Sequence, residues 1–158
     1  MLRGRWRRPA VVAAILVPPA AAGIALASGE QAAVVVRDRS GEELAREPLP
    51  ESGRFELAYR HSYYGAPARE VFRAGGGGFA LRAIRSPSAA VLDYYALAGR
   101  RTRARGRLEL VLSEPRRYRR LALIATQTGR RTLVTGGRRV PLWGRRARHL
   151  TLTVERGW

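Results

Sequence analysis

His61 and Glu70 are the residues of this sequence best suited to do chemistry together. An imidazole within reach of a carboxylate is drawn toward its charged form and has one ring nitrogen fixed. Such a pair can serve proton transfer, metal ligation, contact with a ligand or partner, or plain structural tidying at the rim of a sheet. The stretch Phe55-Glu56-Leu57-Ala58-Tyr59-Arg60-His61-Ser62 alternates with period two, so Phe55, Leu57, Tyr59 and His61 share one face of a strand. Ser62 falls on the opposite face, which makes a Ser–His–carboxylate relay geometrically poor. A metal would need three or four ligands. His149 is the one other histidine, and Asp93 joins only if residues 86–107 fold over this end. This pattern assigns no catalytic residue, no metal and no cofactor. It leaves His61, Ser62, Glu70, Pro67 and Tyr59 as a candidate ligand or partner site.

Positioning that site requires a hairpin. A turn at Tyr64-Gly65-Ala66-Pro67, with its centre on Gly65-Ala66, sets His61 opposite Glu70, Tyr59 opposite Phe72 and Leu57 opposite Ala74. Pro67 has no N–H to close a two-residue turn, so the expected loop has four residues. The rest of the chain supplies further short strands punctuated by Gly and Pro: 32–36 and 42–49 as a first hairpin, 68–74, 79–84, 108–112, 121–125, 132–135 with 138–142 around Gly136-Gly137, and 150–154. Gly75 to Gly78 lacks the Lys-Ser/Thr of a phosphate loop and reads as a flexible joint. Residues 86–107 read as a loop or excursion, with a short helix over 88–97 as the alternative and Asp93-Tyr94-Tyr95 a candidate pocket wall. Strands about every ten residues predict an all-β, antiparallel sandwich or partly open barrel.

An N-terminal segment precedes this domain. Arg3, Arg5, Arg7 and Arg8 come with no acid, an uncharged run follows from Pro9 to Ala27, and Ala25-Leu26-Ala27 closes it before the polar Ser28-Gly29-Glu30. Positive start, apolar middle and small-residue exit describe a secretory signal. The run is also long enough to stay as a membrane anchor helix, although Pro18-Pro19 interrupts it. Residues 1–27 are therefore expected to be a signal peptide or an N-terminal anchor, and 28–158 one extracytoplasmic β domain, secreted or membrane-anchored. With no cysteine, that domain has no disulfide and no thiolate zinc or redox chemistry.

The net charge is +18, and the leader carries four of those positive charges, so the exported part keeps +14. Every one of the 30 basic residues is arginine. Arg116, Arg117, Arg119, Arg120, Arg138, Arg139, Arg145 and Arg146 fall at expected turns, where they would form a basic surface for anionic envelope polymers or lipid headgroups. Nucleic acid is not the expected partner of an exported chain whose arginine clusters lack interleaved aromatics.

The segments Val34-Val35-Val36-Arg37-Asp38, Gly41, Pro48-Leu49, Phe55-x-Leu57-x-Tyr59-x-His61-Ser62 and Ala66-Pro67-x-x-Glu70-x-Phe72 resemble the family called domain of unknown function 1850. The resemblance spans roughly residues 32–143 and is most specific between His61-Ser62 and Glu70. It implies a small bacterial envelope protein associated with TRAP transporters of the TAXI type, whose permease or solute-binding protein would be the partner. By resemblance, His61, Ser62, Pro67 and Glu70 match the family motif. The chain departs from the pattern at Ser86-Pro87-Ser88-Ala89-Ala90-Val91, where the family commonly carries a Gly-x-Gly-like segment.

Overall fold

A computed structural model describes residues 31–104 and 106–156; the expected signal or anchor over 1–27 lies outside them. Eleven strands run through the described residues, most of them on β-branched or apolar runs of the sequence. Four of them, β1 (Ala32–Asp38), β2 (Glu43–Pro48), β8 (Arg120–Ala125) and β11 (Arg148–Arg156), form one sheet in the order β2-β1-β11-β8. Seven others form the second: β3 (Arg54–Arg60), β4 (Pro67–Gly75), β5 (Gly78–Ser86), β6 (Gly99–Ala104), β7 (Arg107–Tyr118), β9 (Thr132–Thr135) and β10 (Arg138–Pro141). Their order is β10-β9-β3-β4-β5-β7-β6. All pairings are antiparallel, and neither sheet closes on itself among the described residues. The architecture is all-β, consistent with the expected sandwich and not with a closed barrel. No helix among the described residues is long and apolar enough to cross a membrane.

Alternation explains the core. Val34 and Val36 of β1, Leu150 and Leu152 of β11, and Leu123 and Ala125 of β8 bury side chains from the smaller sheet. Phe55, Leu57, Phe72, Phe79, Leu81, Ile84, Leu110 and Leu133 meet them from the larger. Three phenylalanines on consecutive strands form its aromatic centre. Phe55 stacks on Phe72 at 5.1 Å, and Phe79 meets both edge-on at 5.5 and 5.6 Å. Outside, Glu155 of β11 is held by Arg37 and Arg46, which pull its carboxyl down to about 2 and tie β1, β2 and β11 together.

The structure corrects several expectations. Gly75 to Gly78 is no flexible joint: Gly76 and Gly77, at φ +62° and +74°, make a two-residue turn that closes the β4–β5 hairpin. Positive φ at both central positions suits glycine and matches strand twist. Gly136-Gly137 repeats the device between β9 and β10, as expected. The excursion expected over 86–107 contains, among the described residues, the helix α1 (Ala89–Tyr94) and edge strand β6 paired to β7. Arginine-rich sequence hid β6, because an edge strand needs no apolar face to pair its backbone. Arg116, Arg117, Arg120, Arg138 and Arg139 lie within strands, not at turns; Arg119, Arg145 and Arg146 do sit at bends.

Candidate functional site

The β3–β4 hairpin sets the geometry, and its register differs from the one expected. His61 donates its backbone N–H to Ala66 at 2.9 Å, and Gly65 donates to His61 at 2.8 Å. The loop is Ser62–Gly65, four residues as anticipated, with Gly65 at φ +62° as its last residue and not at its centre. Glu70 therefore stands opposite Leu57, Tyr59 opposite Ala68 and Phe55 opposite Phe72. The slide along the strand keeps every apolar residue on the same face, so face alternation alone cannot reveal it.

The expected His61–Glu70 pair is thus not formed: no hydrogen bond or ion pair joins them. Glu70 lies on the inner face near the end of the sandwich, mostly buried. Its Oε1 accepts a 2.8 Å hydrogen bond from the hydroxyl of Tyr95, just beyond α1, and Nη1 of Arg131 stands 3.8 Å from its Oε2. The Tyr95 hydroxyl is also hydrogen-bonded to that of Tyr59. The Arg131 guanidinium rests over the Tyr59 ring at 4.7 Å. Four side chains from three segments thereby form one linked cluster.

Burial governs the titration of Glu70 and Tyr95. It pushes the Glu70 carboxyl above the usual range, and the positive charge of Arg131 offsets this only in part. Burial likewise raises Tyr95, again opposed by Arg131, so its phenol remains a donor at neutral pH. A carboxyl whose folded pKa is raised stabilises the fold fully below its unfolded value. That contribution is lost as pH rises through the folded pKa.

His61 is buried beside this cluster, packed edge-on against Tyr94 at 4.6 Å and tilted against Tyr64 at 5.2 Å. Its Nδ1 accepts the Tyr64 backbone N–H at 3.4 Å. Together with Ser62, Tyr59, Glu70, Tyr95 and Arg131 it lines a cleft of about 380 Å³. Four of the five residues singled out in the sequence thus share one cavity. Pro67 does not line it; its carbonyl accepts from the Ser86 hydroxyl at 2.8 Å. Asp93 turns away to pair with Arg101.

Sequence reasoning missed the role of Arg131 and undervalued Tyr95. Arg131 sits in one more Arg-Arg dipeptide, Arg130-Arg131, with nothing local to set it apart. Tyr95 carried a signal in the Asp93-Tyr94-Tyr95 run, but nothing local placed that run over β4. The cleft can bind through aromatic faces, one guanidinium and one carboxyl. Among the described residues no three His, Cys, Asp or Glu side chains converge, and Ser62 makes no hydrogen bond to His61. No family model matches the chain, no curated protein matches it, and no solved structure matches it.

Proposed function

We propose that this chain is an exported, non-enzymatic accessory domain of the cell envelope that works beside a TRAP-type solute uptake system. It uses the Glu70 cleft to contact the permease or the solute-binding protein. The observation that carries this reading is the state of Glu70, whose carboxyl is occupied by Tyr95 and shadowed by Arg131. A group fixed in that way recognises better than it shuttles protons. Among the described residues His61, packed between Tyr64 and Tyr94, receives a hydrogen bond from the Tyr64 backbone and none from a hydroxyl that it could activate. The positively headed leader supports export, and the resemblance to domain of unknown function 1850 supports the association with transport.

Deleting the gene from its native host tests this. The expected outcome is reduced solute uptake, restored by the wild-type chain and not by one lacking residues 1–27, while the permease is still made. Unchanged uptake, together with loss of a hydrolytic activity from the envelope fraction, would contradict it.

A further inference from the structure

The outer face of the seven-stranded sheet carries a second feature, which meets the cleft only at Tyr59 and Arg60. A trough of about 540 Å³ is lined by Arg60, Arg69, Arg85, Arg107, Arg130 and Arg139, with no carboxylate among its lining residues. These arginines are ordered along the sheet: Arg139 on β10, Arg130 just before β9, Arg60 on β3, Arg69 on β4, Arg85 on β5 and Arg107 on β7. Six adjacent strands at roughly 4.8 Å spacing make a basic track roughly 24 Å long that runs across the strands.

The track is built and not merely charged. Glu56, itself nearly buried, binds Arg69 at 3.0 Å and Arg85 at 3.4 Å, and Glu109 binds Arg85 at 2.7 Å. These carboxylates hold two guanidiniums in place while leaving most of the charge unmatched. Arg130 stacks over Trp143 at 5.7 Å, and the Arg60 guanidinium lies along the loop at Gly65. Among the described residues, Arg60, Arg107, Arg130 and Arg139 form no ion pair. Ala58, Pro67 and Ala68 provide a low, smooth floor.

We propose that this trough binds a linear phosphate-bearing polymer, laid across the strands with successive phosphates at successive arginines. The length argues for a chain over a single ion, because one phosphate could engage only two or three of the six guanidiniums. The residue type argues for phosphate, whose several acceptor oxygens match the planar, multidentate guanidinium. Among the described residues Tyr59 is the one aromatic side chain lining the trough, and Arg131 covers a face of its ring, which argues against stacked nucleobases. The trough shares Tyr59 and Arg60 with the Glu70 cleft, and its other five arginines lie outside that cleft.

The test uses the full-length chain and long-chain inorganic polyphosphate at physiological ionic strength. One variant combines Arg60→Gln, Arg107→Gln, Arg130→Gln and Arg139→Gln. A charge-matched control combines Arg116→Gln, Arg117→Gln, Arg119→Gln and Arg120→Gln. The control begins at the far end of β5, where Arg117 faces Ala80. Loss of four exposed ion pairs is expected to weaken polyphosphate binding about 30-fold in the trough variant. The control should change it less than about threefold. Equal losses in the two variants would overturn the proposal by showing diffuse attraction. So would displacement of the polymer by orthophosphate at equal total phosphate. Equally tight binding of polyglutamate, or of single-stranded DNA of matched charge, would overturn the choice of phosphate polymer.

Discussion

Replacing Phe55 with alanine is expected to lower the unfolding free energy by about 4 kcal/mol, a fall in Tm of roughly 15 °C. Phe55 is fully buried where the first strand of the larger sheet meets its neighbours. Its ring stacks on Phe72 and receives the edge of Phe79, so truncation removes one member of a three-ring unit. Those rings stand on paired strands of a rigid sheet, and the backbone cannot collapse into the space. The cost is therefore the lost transfer energy plus an unfilled cavity. With no cysteine in the chain, no disulfide offsets it. Chemical denaturation should show the midpoint shifting with the slope unchanged. A loss below about 1 kcal/mol would mean that the two sheets do not share the core described here.

Arg131→Met is the second large effect, about 2 kcal/mol at pH 7, with the methionine keeping an apolar stem over Tyr59. The arginine supplies the positive charge paired with a carboxyl that is 14 % exposed. Removing one partner of such a pair leaves the other uncompensated, and a fully buried pair would lose about 3–5 kcal/mol. Arg131 is 21 % exposed and 3.8 Å away, which lowers the figure. The same substitution in a Glu70→Gln background should cost little, since the neutral amide can still accept from Tyr95. Because the folded Glu70 pKa is raised, the penalty should also shrink as pH falls through that raised pKa, already above the ordinary glutamate value, as the carboxyl protonates. A double-mutant cycle by denaturation measures this coupling. Equal losses in both backgrounds would show that Arg131 acts by packing alone.

The fold was largely legible because its strands announce themselves locally. Period-two alternation in Phe55–Ser62, Leu108–Leu112 and Leu150–Val154, and the double-glycine turn at Gly136-Gly137, each encode their structure in a few neighbouring residues. What stayed hidden was decided by distant partners. The arginine-rich β6 pairs through backbone alone, so its side chains carry no trace of the sheet. The β3–β4 register failed for a different reason. Every apolar residue remains on its face when the strands slide by an even step, so the pattern that assigns faces cannot count residues along them.

The site followed the same division. Tyr59, His61, Ser62 and Glu70 could be grouped from one hairpin, and they do share a cleft. The contacts that define Glu70 come from beyond α1 and from the turn before β9, neither of which the local sequence ties to β4. A helix of six residues brings Tyr94 and Tyr95 over the strand ends, and that placement rests on the burial of Val91 and Leu92. The arginine track was invisible for a related reason. In a chain with 30 arginines, only the strand order shows which of them line up.

The most direct test of the cleft is a titration of the Glu70 side-chain carboxyl by carbon-detected NMR on the intact protein. The arrangement of burial, Tyr95 and Arg131 predicts a midpoint above the ordinary 4.5, moving higher still in Arg131→Met. A midpoint at or below 4.5 that ignores the loss of Arg131 would place Glu70 in water and contradict the site described here.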